Sequence, residues 1–371
     1  MRLTMECLRI PFNVAFRHAS AERSATLSLW AEARAEGGAV GFGEGAPRDY
    51  VTGETLATGI AFFRKHQPSI ETISDLDSLR RWLCAHDVEI DANPAAWCAI
   101  ELALLDLLAK QAEQTLEQYL GLPALTGSQK FSAILGDNEL PVLLAQFNQY
   151  RALGMADFKV KVGLDRKRDE AKMAALRAAG AGCRFRLDAN NAWSDASAAI
   201  EYLRGVTVGD SPIEEPLRPS DLAGMRVLAR ACETAVILDE SVLRISQLDA
   251  LADDPMTWVV NVRVSKMGGL LRSLAVIDRA KQLGLRVIVG AQVGETSVLT
   301  RAALTVAAHA GDQLFAQEGA FGTQLLRADV CTPALMFGRG GVLDVGCVGR
   351  NGTKGLGLDI ERPSAFLSAL G

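Results

Sequence analysis

From about residue 126 the chain settles into a strict alternation. Short apolar runs (FKVKVG, RFRLDAN, PIEEP, AVILDE, WVVNVRVSK, LRVIVGAQ) are separated by stretches with helical spacing such as RDEAKMAALRAAG and LLRSLAVIDRAKQLG. Strands that are apolar on both faces are buried on both sides, and helical connections between them impose a parallel sheet. About 215 residues in this mode predict a (β/α) barrel of the modified TIM type over residues 126–340. Residues 1–125 group differently. SATLSLWAEARAEGGAVGFGEGAP reads as a β-hairpin, and NPAAWCAIELALLDLLAKQ as a buried helix with Pro94 at its start, which predicts a separate α+β domain. The Gly-rich tail, 341–371, ends in a strand-like piece expected to return to that first domain.

Each apolar run ends in a charged residue that a buried strand should avoid: Lys161, Asp188, Glu214, Asp239, Lys266 and, less regularly, Glu295. Their spacings of 27, 26, 25, 27 and 29 residues each correspond to one strand-helix unit. A barrel brings the carboxyl ends of its strands to one mouth, so these distant positions become neighbours. Taken singly, an Asp after a strand is an ordinary helix cap, and IDANP at 90–94 repeats the Asp-Ala-Asn string of LDAN where only a loop and a helix start are expected. Six in phase point to a site.

Asp188, Glu214 and Asp239 on adjacent strands repel one another unless a cation lies among them. The four histidines are far apart and the seven cysteines form no C-x-x-C pair, so the cation is one held by oxygen: Mg²⁺, with Mn²⁺ as its substitute. Lys161 lies on the strand before the acidic triad and Lys266 on the strand after it. Lys159 shares a strand face with Lys161. Its charge and that of the metal favour a neutral Lys161 amine, making Lys161 the candidate base and Lys159 its electrostatic partner or a contact for the substrate carboxylate. Glu240, directly after Asp239, is expected to hydrogen-bond Lys266 and keep it charged.

Composition removes other classes. A net charge of -5 with no basic cluster excludes nucleic acid as a partner, and no apolar stretch approaches the length of a membrane span. Scattered unpaired cysteines fit a reducing, cytoplasmic location.

The ordered set GEGAPRDYVTGET (43–55), AIELALLDLLAK (99–110), KVK, LDANNAW, IEEP, LDES and VSKMGGLLRS resembles the enolase superfamily, and within it the muconate-lactonizing subgroup. The resemblance implies that the first domain caps the barrel mouth, that Asp188, Glu214 and Asp239 ligate Mg²⁺, that Lys161 and Lys266 are acid/base lysines, and that Asn190 and Glu215 support the metal site. It implies abstraction of the proton α to the carboxylate of a small-molecule substrate through an enediolate. Two lysines on opposite faces suit racemisation or epimerisation, for instance of an N-acyl amino acid. The same scaffold also carries muconate-type cycloisomerases and dehydrating lyases, and a non-catalytic metal-binding relative is the remote alternative. A Schiff-base aldolase would use the lysines differently and is not expected.

Substrate contacts are expected on four loops: FRHASAERS with Arg17 and His18, PRDYVTGE with Tyr50, GAQVGETS with Gln292 and Glu295, and QEGAFGTQ with Glu318. The Asp-x-Asp by which the subgroup's dipeptide epimerases receive an ammonium group near the last strand is absent from this region, which argues against a dipeptide. GAQVGET also departs from the subgroup's shorter string, so Glu295 reads either as a displaced site residue or as a helix-capping acid. The resemblance further implies a homo-oligomer.

Overall fold

The computed structural model describes residues 1–18, 21–206 and 211–369. The first part of the chain forms β1 (Arg2–Leu8), β2 (Pro11–His18), β3 (Ala21–Ala25), β4 (Ser28–Arg34) and β5 (Val40–Gly45), followed by helices of which the longest is Pro94–Gln111. The hairpin read from the sequence is β4 against β5, in register from Leu29–Gly45 to Arg34–Val40.

The string VGFGEG of β5 has a packing reason. A Cβ at Gly41, Gly43 or Gly45 would stand 2.1, 2.0 or 1.8 Å from the carbonyl oxygens of Ala103, Ala99 and Ala95 on the helix Pro94–Gln111. Every second residue of a strand advances about 6.6 Å, and every fourth residue of a helix about 6 Å, so the glycine row keeps step with the alanine row. The helix therefore lies directly against the strand backbone, and the pair forms the centre of the first domain's core.

The chain continues through β6 (Ser128–Lys130) into eight strands: β7 (Ala133–Leu135), β8 (Asp157–Lys161), β9 (Arg184–Asp188), β10 (Ile213–Glu214), β11 (Val236–Leu238), β12 (Trp258–Val262), β13 (Arg286–Val289) and β14 (Leu314–Gln317). They pair in parallel in the unbroken order β7 to β14. The first and last strands meet where the Ser132 N–H donates to the Gln317 carbonyl at 2.8 Å, which brings the sheet round on itself. The sequence marked six of these strands, β8 to β13, and β7 and β14 were not among them.

Helices on the outside, such as Arg166–Ala179, Leu222–Cys232 and Leu270–Leu283, connect the strands, and Asp165 and Asp221 cap two of them. Between β11 and β12 the expected helix is only a 3₁₀ segment, Ile245–Leu251. Inside the barrel, Ile237, Val259 and Ile288 form a small apolar plug.

The tail contributes β15 (Val342–Asp344), which pairs with β6, and β16 (Leu367–Ser368), which pairs with β1 and so joins the sheet β16-β1-β4-β5 of the first domain. Among the described residues no helix is long and apolar enough to cross a membrane.

Candidate active site

The carboxyl ends of β8 to β11 carry the charged residues to one place. Lys159 is buried, and its Nζ stands 2.7 Å from Glu214 Oε1, 3.2 Å from Asp188 Oδ2 and 3.4 Å from Glu318 Oε2. Lys161, on the same strand face, donates to Asp188 Oδ2 and to Asn190 Oδ1, both at 2.6 Å. Asn190 takes a left-handed backbone (φ 46°) just after β9 and donates its own N–H to Asp188 Oδ1 at 3.1 Å. Asn190 thus orients both the lysine and the carboxylate.

Burial works to raise the Asp188 pKa, but Lys159 and Lys161 outweigh it and hold this carboxyl below its ordinary range. Burial equally works to lower Lys159, and Asp188, Glu214 and Glu318 hold it well above the usual lysine value. Lys159 is therefore a fixed positive charge. Glu214 moves upward, because burial and the neighbouring carboxylates exceed the help it receives from Lys159.

Glu215, the next residue, turns away from the mouth. Its Oε1 accepts from the N–H groups of Asp239 at 2.5 Å and Ser241 at 2.8 Å, and its Oε2 accepts from the Ser241 hydroxyl at 2.8 Å. It therefore sets the backbone that presents Asp239. Burial pushes both Glu215 and Glu240 up to about 7.

Two expectations about Lys266 need correction. The strand β12 ends at Val262 and the chain turns into a short helix, Val264–Met267, so Lys266 is not a strand-end residue. Its amine is fully buried behind Asp239, donating to the Asp239 carbonyl at 2.7 Å, to Asp239 Oδ1 at 2.9 Å and to the Asn261 carbonyl at 2.6 Å. These three acceptors match its three donors, and none of them is Glu240. Burial, with Arg263 beside it, lowers this amine to about 7.

The cation on the mouth side of Asp239 is Arg263, which the sequence reading passed over. Its guanidinium contacts Asp239 Oδ2 closely, lies 3.9 Å from Glu214 Oε1 and donates to Gln292 Oε1 at 3.0 Å. A signal was available: alternation along WVVNVRVSK puts Asn261 and Arg263 on one face and Lys266 on the other. Asn261 indeed donates to Glu214 Oε1 at 3.3 Å from inside the barrel. Arg186, two residues before Asp188 on β9, was missed for the same reason and donates to Glu318 Oε1 at 3.0 Å.

Gln292, Glu295 and Glu318 line a cavity of about 700 Å³ beside the mouth, together with Gly136, Tyr150 and Phe321. Glu295 accepts from the Gln292 N–H at 2.6 Å, and burial, reinforced by Glu44, pushes its carboxyl up to about 8. Tyr50 is 38% exposed, with the Arg23 guanidinium 5.6 Å above its ring. The side chains of Arg17 and His18 lie outside the described residues.

Asp188, Glu214 and Asp239 thus come from three consecutive strands and are all buried. As placed, no three acidic, His or Cys side chains among the described residues stand close enough to hold a metal ion, because lysine and arginine side chains take the carboxylate oxygens instead. The donor set nevertheless fits a hard divalent cation, and Glu214 Oε2 is buried with no hydrogen-bond partner among the described residues.

Residues 142–364 match the family model described as enolase C-terminal domain-like. The chain belongs to the enolase superfamily. A hydrophobic dipeptide epimerase of Enterococcus faecalis is 30% identical over 284 residues, 75% of this chain and 77% of the relative. An N-succinyl-L-Arg/Lys racemase of Bacillus cereus is 24% identical over 311 residues, 81% of each chain. In fold, the chain is similar to the dipeptide epimerase of Cytophaga hutchinsonii solved with Mg and the dipeptide D-Ala-L-Val, with a TM-score of 0.86, 23% identity and 99% of both chains covered. Such epimerases and racemases are isomerases, and this chain is an isomerase of the mandelate racemase/muconate lactonizing group.

Proposed function

We propose that the barrel mouth is the active site of a Mg²⁺-dependent isomerase that removes the proton α to the carboxylate of a small substrate, with racemisation or epimerisation of an amino-acid derivative as the overall reaction. The observation that carries this reading is the Lys161 amine, held at 2.6 Å by both Asp188 and Asn190 on the rim of the acidic cluster. The names of the relatives support the reaction class, and the Mg reported with a dipeptide in the Cytophaga epimerase supports the metal.

Asp188, Glu214 and Asp239 would hold the cation, with Mn²⁺ as its substitute; when bound it supplies the positive charge that makes the α proton of a carboxylate acidic enough to remove. Lys161 takes that proton, and inversion would need one returned on the opposite face, where Lys266 beside Asp239 is the other amine. Lys159, held between Asp188, Glu214 and Glu318, keeps those carboxylates compensated beside Lys161. Asn190 aims the Lys161 amine, and Glu215 keeps Asp239 in place. The cavity lined by Gln292, Glu295 and Glu318 accommodates the remainder of the substrate.

A cycloisomerase or dehydrating lyase is a second reading that one feature favours. Arg263, and not Lys266, faces the mouth beside Asp239. A guanidinium stays protonated at neutral pH and does not act as a base, so proton transfer would rest on Lys161 alone.

Exchange of α-hydrogen for deuterium, followed by mass spectrometry on separate enantiomers of N-acyl amino acids, dipeptides and small unsaturated acids, tests both readings. Metal-dependent exchange with appearance of the opposite antipode supports the racemase. Exchange or mass change of one antipode without inversion supports the single-base reading. A Mg²⁺-loaded protein that exchanges no proton in any of them counts against α-proton chemistry.

A further inference from the structure

Four cationic side chains press on the three mouth carboxylates, and they differ in how freely they can leave. Lys159 and Lys266 are buried, and Lys266 also satisfies two backbone carbonyls that would be left without donors if it moved. Lys161 keeps to the edge of Asp188. Arg263 alone both reaches two of the carboxylates and stays partly exposed; Lys159 reaches two but is buried, and Lys161, 15% exposed, reaches only Asp188. Arg263 spans Asp239 and Glu214, its described bonds go only to side chains, and its side chain remains 13% exposed. Its third partner, Gln292, lies in the cavity wall, so the guanidinium has a place to go that keeps one hydrogen bond.

We propose that Arg263 is the resident counter-ion of the Asp239–Glu214 pair, and that a divalent cation binds here by displacing it. This rests on the reading of those carboxylates as metal ligands. Lys266 holds one Asp239 oxygen from the buried side and Arg263 covers the other from the mouth, so a cation arriving from the mouth meets Arg263 first. A guanidinium and a dication held against one carboxylate also repel each other in a weakly screened site. The arrangement keeps the buried acids compensated before metal arrives, since an unpaired buried carboxylate would otherwise be costly.

The test is Mn²⁺ binding to the full chain, followed by electron paramagnetic resonance, for the native protein and for Arg263→Gln. Melting temperatures are measured with chelator and with saturating Mn²⁺. Loss of one charge-assisted hydrogen bond that metal must otherwise break corresponds to binding roughly ten- to a hundredfold tighter in the variant. The variant should also melt lower than the native protein in chelator, and this deficit should close with Mn²⁺. Unchanged or weaker Mn²⁺ binding in Arg263→Gln overturns the proposal. So does tighter binding with no deficit in chelator, which would be a distant charge effect, and so does a deficit equal in both conditions, which would be a purely structural role. If neither protein binds Mn²⁺, the metal-ligand reading itself fails.

Discussion

Buried acids occur in two regions of this molecule, and they are compensated in opposite ways. At the mouth, Asp188, Glu214 and Asp239 are met by lysine and arginine side chains. Inside the first domain and along its contact with the barrel, buried acids are met chiefly by backbone N–H groups. Glu54 accepts from Ala95 and Ala96 at 2.7 and 2.9 Å, Glu101 from Leu270 and Leu271 at 2.5 and 3.2 Å, and Glu44 from the Thr296 N–H and hydroxyl. These donors are the free N–H groups of helix starts, which cannot move without unwinding the helix. Burial pushes Glu44, Glu54 and Glu101 up to about 7, whereas the lysines beside Asp188 overcome its burial and hold its pKa down. Fixed dipoles make a permanent joint; movable charges make a site that can exchange one cation for another.

The comparison can be broken most sharply at Lys161. Lys161→Ala should lower metal-dependent α-deuterium exchange by about 10²–10⁴-fold, the range for loss of a general base, while leaving the urea midpoint in saturating Mn²⁺, where the metal compensates Asp188, nearly unchanged. A variant that exchanges at the native rate would remove the mouth's claim to be catalytic.

The joint should respond in the reverse sense. Glu101→Ala leaves the Leu270 and Leu271 N–H groups without their buried acceptor and should cost roughly 2–4 kcal/mol in urea unfolding. Saturating Mn²⁺ should not remove this difference from the native protein. If it did, the two regions would not be separate.

A pH series sharpens the contrast. Glu44, Glu54 and Glu101 have folded pKa values raised from 4.5 to about 7, so the folded state holds protons that the unfolded state has released. Their favourable contribution is complete below about 4.5 and is lost as pH rises through about 7, on the order of 1–3 kcal/mol per group. Asp188, with its lowered value, is ionised in both states across this window and contributes no slope there, whereas Glu214, Glu215, Glu240 and Glu295 are raised and add to the fall, so the joint's share is read from the Glu101 variant. Metal-free urea midpoints should fall from pH 5 to 7.5, and Glu101→Gln should flatten part of that fall. A flat native profile would contradict the burial argument.

The smallest effect is expected at Asn190. Asn190→Ala removes one of the two acceptors of the Lys161 amine but leaves Asp188, so exchange should slow by roughly tenfold with the metal affinity unchanged. A loss as large as that of Lys161→Ala would make Asn190 more than an orienting group.

Much of this site was legible because barrel strands repeat at nearly constant spacing. Asp188, Glu214 and Asp239 needed only the ends of three apolar runs to be found, and Lys159 and Lys161 needed only strand alternation. Glu318, chosen merely as part of a terminal loop, turned out to bond Lys159 and Arg186 from across the barrel. No local pattern contains that pairing, because it depends on β14 closing back towards β7. Glu54, inside the first domain, and Glu101, on its contact with the barrel, were equally invisible, since in sequence they are single acids inside a loop and a helix.

The sequence by itself determined the parallel strand-helix order, the acidic triad and the pair of lysines on one strand face, because period-2 alternation and regular spacing are local properties. Alternation already separates Arg263 from Lys266; only the tertiary structure decided how each of them meets Asp239. The apolar run WVVNVRVSK continues past the point where the strand stops, and the chain passes at Arg263 from a two-residue period to a helical turn. That change of period leaves Arg263 on the inner face and turns Lys266 behind Asp239, where backbone carbonyls hold it.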